Sequence, residues 1–422
     1  MQYIHNKYNN YRKYISTFHQ ALTLDNNSAF CILRLHLSIL AFQEDVVSIR
    51  LFDHFTSLED PRVERTKLHA LMDIVALTIC GVLCGADGWD DIHFYASSLE
   101  AWYRTFLPLK HGIPSSDTIR RVISAIHPEQ FQACFLSWVQ SLARAIPESI
   151  IAIDGKTLCS AYGPDDTKAL LHIVSAWSQA QHLVLAEIKV AEKSNEITAI
   201  PELLKLLVLE GCIITIDAMG CQKKIAKEIV ARKAGYAIAV KGNQEKLHAA
   251  VIETFQALHN ADDLSAYAAH ITEDAAHGRY ERRTYTITDD LSRITTRDEW
   301  AGLTHIGKGT CERFIQADYQ QETRYYILHR VETVEKFAEA SRGHWGIENS
   351  VHWSLDVTFH EDDIRIYTGY AAENLATVRK IALNALKQEK TRKLSLKNKR
   401  ALCAMKSDYL LQVLNCAVSD LS

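Results

Sequence analysis

The hydrophobic period changes twice along the chain. Residues 1–50 carry no clear period: a polar, Tyr/Asn-rich start from Tyr3 to Tyr14 precedes a short apolar stretch. From Leu51 the apolar positions recur at helical spacing, over Leu68–Leu83, Ile92–Phe106 and Thr118–Ile126. The cluster Pro114-Ser115-Ser116-Asp117 ahead of the last run is a helix start. This helical region ends near Pro147. Short β-branched runs then predict strands at Ile150–Ile153, Leu170–Ala176, Leu183–Val190, Cys212–Ile216 and Tyr236–Val240. Helical spacing at Ile200–Leu209 and Gln222–Lys233 separates the last three, giving three strands followed by alternating helix and strand, a mixed α/β sheet. A polar segment at about 259–330, with alternating runs such as Arg283 to Thr288, reads as a β-rich insertion. Helical spacing returns over Val334–Phe359 and Tyr370–Leu386, and residues 387–422 form a basic tail.

Composition narrows the class. A chain of 422 residues with 47% apolar content buries a large core in two or three domains. The apolar run near Ile74–Ala86 is too short to span a bilayer, Arg34 and His36 interrupt the stretch before Phe42, and the start lacks a signal-peptide pattern. A cytoplasmic protein is expected, without membrane contact. Ten scattered cysteines with no CxxC pair predict buried thiols rather than a disulfide framework. A net charge of -4 excludes a uniformly basic nucleic-acid coat, so any such contact depends on local clusters.

The chemistry lies in carboxylates. Ile150-Ile151-Ala152-Ile153-Asp154 is an apolar strand that stops at an acid, and Ile213-Ile214-Thr215-Ile216-Asp217 repeats the design. Strand ends of open α/β sheets form ligand crevices, so neighbouring strands of this kind bring both acids together. Close carboxylates repel unless a cation sits between them, and hard oxygen ligands suit Mg²⁺ or Mn²⁺. The blander reading, in which each Asp caps its own turn, suffices for one strand end and is weakened by the repetition. Glu348 is the strongest candidate for a third acid: at helical spacing His344, Glu348 and His352 share one face, and Trp345, Val351 and Leu355 are expected to pack. A zinc site is the lesser reading, because neither HExxH nor ExxH occurs in this segment.

Five segments in order carry a resemblance. They are Ala152-Ile153-Asp154-Gly155-Lys156-Thr157-Leu158, Glu192-Lys193-Ser194-Asn195-Glu196-Ile197, Thr215 to Gln222, Val240-Lys241-Gly242-Asn243-Gln244 and His344-Trp345-Gly346-Ile347-Glu348-Asn349. Together they resemble the ISAs-type insertion-sequence transposases, including the H-repeat proteins associated with Rhs elements. The likeness runs from about Leu51, with Asp60-Pro61-Arg62 and Gly112 to Thr118 fitting the N-terminal associated domain, to near Leu411. It implies a ribonuclease H-like core at 148–386 with an Asp154/Asp217/Glu348 triad and a β-rich insertion, preceded by an all-helical DNA-binding domain at 51–147. Residues 1–50 are then an extension of unassigned role, consistent with a start codon downstream of Met1. The 131 residues between Asp217 and Glu348, against 63 between Asp154 and Asp217, leave room for the insertion. The related Tyr/Arg/Glu/Lys signature is not reproduced, since Ser341, His344 and Leu355 stand at its offsets. His344 or Arg342 is the candidate stand-in for the missing Arg.

The resemblance implies two Mg²⁺ ions, replaceable by Mn²⁺, about 3.5 to 4 Å apart, serving strand cleavage and then strand transfer. The implied partners are the element's terminal inverted repeats and target DNA, handled by a homodimer, nucleoid-associated while bound. Candidate phosphate contacts are Lys156, Lys241, Asn243, Arg279, Arg282, Arg283, Arg342 and His344, Arg120 and Arg121 in the helix after Pro114, and Lys393, Lys397, Lys399 and Arg400 in the tail. Between Lys387 and Lys406 eight Lys/Arg stand against one acid, Glu389. Two competing readings are a metal nuclease that cuts without joining and a repurposed element copy that only binds DNA.

Overall fold

Helical spacing after Leu51 becomes α1 (Leu71–Cys84), α2 (Trp89–Ser98) and α3 (Ser116–Ala125), followed by α4 (Pro128–Leu142), with short helical turns at Arg50–Asp53 and Glu100–Tyr103. The computed structural model describes residues 49–143, 146, 148–158, 171–190, 196–260, 267–276, 279–315, 318–363 and 368–416. The extension expected at 1–50 therefore lies outside the described residues up to Ser48. α3 starts where its cluster predicts, the Ser115 hydroxyl accepting from the Thr118 amide at 3.3 Å, a cap that contributes about 1 kcal/mol. α1 is apolar on nearly every side and buried accordingly. It stops at Gly85, whose φ of 110° is a left-handed turn that suits glycine.

The strands follow. β1 (Ile150–Leu158), β2 (Leu171–Ser178) and β3 (Leu183–Val190) form an antiparallel meander. Then come α5 (Glu196–Lys205), β4 (Ile213–Ile216), α6 (Lys223–Ala231), β5 (Gly235–Val240) and α7 (Glu245–Asn260). β4 lies parallel to β1, and β5 parallel to β4. Side chains Ile150 to Ile153 and Ile213 to Ile216 are buried on both faces, as strands sandwiched between helices require. β1 does not stop at Asp154 as expected. On the β4 side pairing ends at Ile153, but on the other side Asp154 to Leu158 continue the ladder opposite Ser175 to Leu171.

The β-rich insertion is β6 (Ala268–Ala276), β7 (Arg279–Thr288), β8 (His305–Ile315) and β9 (Asp318–His329), and it extends the same sheet. β9 pairs antiparallel with β5, giving one nine-stranded sheet in the order β3-β2-β1-β4-β5-β9-β8-β7-β6. α8 (Val334–Ile347) packs across β1, β4 and β7. It passes into a π-helical turn, Glu348–His352, and then α9 (Trp353–Phe359). α10 (Ala371–Gln388) is buried along nearly its whole length, against α1, α3 and α4 on one side and β3 on another. The N-terminal helices and the sheet thus share one core. Among the described residues no single helix is long and apolar enough to cross a membrane.

The expected basic tail is not a free tail. α11 (Leu396–Met405) and α12 (Ser407–Cys416) pack on α1 and α10. Lys399 and Arg400 are only 6% and 5% exposed. Lys399 donates to the Leu386 carbonyl at 2.9 Å and pairs with Glu389 at 3.2 Å. Arg400 donates to the carbonyls of Val82 at 3.1 Å, Ala86 at 3.2 Å and Thr358, and lies 4.4 Å over the Phe359 ring. Their candidacy as phosphate contacts is therefore corrected: each is buried and spends its donors on main-chain oxygens of the core. Lys393 and Lys397 are exposed.

Candidate active site

Ile153 and Ile216 are the last residues paired between β1 and β4. The next residue of each strand, Asp154 and Asp217, therefore emerges beside the other, one interstrand spacing of about 4.8 Å apart at the backbone. Glu348, the first residue of the π-helical turn, is exposed and lines the same cavity of about 210 Å³, with Lys241, Arg324 and His344. π-helical turns inside α-helices are concentrated at functional sites. The structure brings together the three acids named from the sequence.

Their electrostatics are crowded. Burial, followed by the like charges of Asp217, Glu196 and Glu348, pushes the Asp154 carboxyl up to about 7, against a hydrogen bond from the Gly155 amide. Glu196, on the first turn of α5, is a fourth acid that sequence reasoning did not single out. Its carboxylate lies over Gly155, where a Cβ would meet Oε1 at 2.1 Å, and burial followed by the charge of Asp217 raises its pKa too. Its only sequence signal is its place in the segment Glu192 to Ile197, of which residues 192–195 lie outside the described residues. Asp217 also caps its turn, Oδ1 accepting from the amides of Met219 at 3.0 Å and Gly220 at 3.2 Å. The bland reading and the functional one coexist in one side chain.

Two neutral imidazoles flank the acids. His344 approaches the Thr215 hydroxyl at 3.3 Å, and burial holds its pKa down to about 4. His352 Nδ1 lies 3.5 Å from Asp154 Oδ2, and burial together with Lys156 and Lys380 holds it at about 4. His344 and Glu348 line one cavity and His352 approaches Asp154, but the π-helical turn Glu348–His352 replaces the α spacing from which one shared face was expected. Trp345 is a correction: it is 39% exposed, with the Arg324 guanidinium 4.1 Å over its ring, whereas Val351 and Leu355 are buried as expected.

The other candidates separate. Lys241 is exposed at the cavity rim. Asn243 donates to the Ala218 carbonyl at 2.7 Å, bracing the loop that carries Asp217. Lys156 is corrected as a DNA contact: its ammonium is buried between Asp356 and Glu361, the latter at 3.1 Å. Arg279 and Arg342 line a second, larger cavity beside Glu348. Arg282 does not, because the pleat of β7 turns it to the opposite face from Arg279 and Arg283, where it approaches Glu273 at 3.6 Å.

The donor set at the acids is all oxygen, which suits a hard divalent cation, and crowding of this kind is what such a cation relieves. Among the described residues no three acidic, imidazole or thiol groups are already gathered at coordinating distance.

The profile of the Transposase DDE domain matches residues 146–385, and that of the DDE_Tnp_1-associated domain matches residues 52–139. The chain belongs to the DDE transposase family. It is 40% identical over 372 residues to the H repeat-associated protein YhhI of Escherichia coli K12, covering 86% of this chain and 97% of that one. It is also 40% identical over 372 residues to YncI of Escherichia coli O157:H7, covering 86% and 94%. Both are named as transposases. A piggyBac transposase synaptic complex with hairpin DNA aligns over 88% of this chain and 79% of its own at 12% identity and a TM-score of 0.40, a likeness too distant to carry argument.

Proposed function

We propose that this transposase cleaves DNA strands at the ends of its element and joins the freed 3′ ends to target DNA, on a ribonuclease H-like core. The observation that carries this reading is the register of β1 and β4, which sets Asp154 and Asp217 side by side with Glu348 on the same cavity. Asp154, Asp217 and Glu348 hold the divalent cations, Mg²⁺ or Mn²⁺, with Glu196 beside them. Two cations bound there would supply an activated attacking oxygen and a stabilised leaving oxygen on either side of an in-line displacement. The protein's part is positional. β1 and β4 fix two carboxylates rigidly, the π-helical turn offers the third, and the neutral His344 and His352 exclude water without adding positive charge against the cations. Cutting and joining then reuse one site, and a nuclease that stops after cleavage is separated by whether joined products form.

Lys241 at the rim and the exposed Lys393 and Lys397 contact DNA phosphates in this reading, and the helices within 51–147 read the element's ends. Two ends are handled by a homodimer in the cytoplasm, nucleoid-associated while on DNA. The test is cleavage and joining, with Mg²⁺, of DNA carrying the terminal inverted repeats that flank the gene. Asp154→Asn, Asp217→Asn and Glu348→Gln should each abolish strand cleavage and leave binding within a fewfold of wild type. Full cleavage by any one of them removes that residue from the site.

A further inference from the structure

Beside the acids lies a second cavity, of about 450 Å³, and the two share Arg324, Tyr326, Trp345 and Glu348 in their walls. Its lining carries Arg279, Arg283, Arg313, Arg324 and Arg342 against only Glu322 and Glu348, in a chain whose net charge is -4. Glu281 explains how so many guanidiniums stand together. It is 4% exposed on β7, and by the pleat it shares a face with Arg279 and Arg283, while Arg313 sits opposite it on β8. Arg313 Nε donates to its carboxylate at 2.6 Å, and Arg279 and Arg283 donate as well. One carboxylate fixes three guanidiniums in place but neutralises a single charge. The surplus is left on the cavity wall: the side chains of Arg279 and Arg313 are 45% and 37% exposed there and that of Arg283 19%, while Nη1 of Arg283 is buried with no hydrogen-bond partner among the described residues.

We propose that this cavity grips the backbone of the DNA strand that passes over the acids, at a phosphodiester neighbouring the reacting one, and that Glu281 is a positioning residue that holds Arg279, Arg283 and Arg313 for it. The inference rests on the transposase reading and deepens it. Forked guanidiniums suit phosphate oxygens in two-pronged contacts. A polyanion fits better than a small anion because the cavity shares four wall residues with the acidic one, so one strand would occupy both, with one phosphate at the acids and its neighbour at the arginines.

The test uses the full chain without divalent cation, so that binding is read apart from cleavage. The probe is a duplex ending in the terminal inverted repeat from the DNA flanking the gene, with each phosphate in turn replaced by a neutral methylphosphonate. Wild type should lose about tenfold in affinity at one or two positions next to the cleaved bond. Arg283→Gln and Arg342→Gln should weaken binding by a similar factor, lower the salt slope by about one, and no longer respond to neutralisation at those positions. Arg342 lies outside the Glu281 cluster, so its variant keeps that cluster's folding contacts. Glu281→Gln makes the protein more positive, so a purely electrostatic role predicts tighter binding, whereas a positioning role predicts weaker binding. If both arginine variants keep the wild-type methylphosphonate pattern, the cavity does not hold the strand. If the pattern is flat and inorganic phosphate raises the melting temperature of wild type but not of Arg283→Gln, the site takes a small anion and the strand assignment is overturned. If wild type prefers no terminal repeat and cuts none, the transposase reading itself fails.

Discussion

Lys387 donates its ammonium to the main-chain carbonyl of Ser350 at 2.6 Å, inside the π-helical turn that begins with Glu348. Helical segments that depart from α geometry leave carbonyls to be satisfied by other donors, and here a side chain from α10 supplies one. Burial holds this amine down to about 8. Replacing it, as in Lys387→Met, should free the turn and scatter Glu348. Strand cleavage is expected to fall about tenfold or more, as misplacement of a catalytic group does, while DNA affinity without divalent cation stays within twofold. Unchanged cleavage would mean that the turn is rigid without this lysine.

The apolar runs that became β1 to β5 were legible because strands buried on both faces have little else to be, and the two acids followed from where those runs stop. The sequence did not tell that β1 continues past Asp154, since that depends on pairing with Ser175 to Leu171 of β2. Four helices escaped the prediction: α11 and α12 in the basic C-terminal region, and α4 and α7, although Phe131, Phe135, Trp138 and Leu247, Val251, Phe255 recur at helical spacing. Period two along β7 already separated Arg282 from Arg279 and Arg283, but only the fold reveals which face has a cavity. Glu196 and Arg400 were hidden for a different reason: their roles come from Gly155 and from Val82, Ala86 and Thr358, distant in the chain and visible only once it is folded.

Asp154 makes the cation-free protein less stable at neutral pH than at acid pH. Its folded pKa of about 7 lies above the ordinary aspartate value of 3.8. Below 3.8 the carboxyl is protonated in both states and costs nothing; the penalty grows as pH rises to about 7 and is constant above. Discounted for partial exposure, it is on the order of 2 kcal/mol. Asp154→Asn should therefore raise the melting temperature at pH 8 by several degrees, with a much smaller gain at pH 5. Adding Mg²⁺ should close the gap by stabilising wild type alone. No gain at pH 8 would mean that the acids are better solvated than their burial implies.

The Glu196 carboxylate occupies the space where a side chain on Gly155 would begin, 2.1 Å from the Cβ position. Because it ends a flexible side chain, Gly155→Ala is expected to fold, at a cost of about 1 kcal/mol or less, and to push Glu196 away from Asp154. Gly155→Ala and Glu196→Gln should then share a phenotype: weaker Mn²⁺ binding, read by electron paramagnetic resonance, and slower cleavage. Combining them should add little to either alone. Additive losses would show that Glu196 acts elsewhere.

The two halves of the basic C-terminal region should separate cleanly under mutation. Arg400 is buried and donates to carbonyls from α1, the turn after it and α9. Removing it, as in Arg400→Met, takes a charged donor from all three oxygens and leaves Val82 only the Gly85 amide, a loss of about 3 kcal/mol at the charged end of the hydrogen-bond range. The expected result is a melting temperature lowered by several degrees with DNA affinity unchanged in the folded fraction. Lys393 and Lys397 are exposed, so Lys393→Ala with Lys397→Ala should leave stability within about 0.5 kcal/mol. If they meet phosphates, the same pair lowers the salt slope of DNA binding by about two. Thermal melting and a salt titration on the same preparations distinguish the cases. An Arg400→Met protein that melts like wild type but loses DNA would reverse the assignment, making α11 a binding surface rather than a clamp across the core.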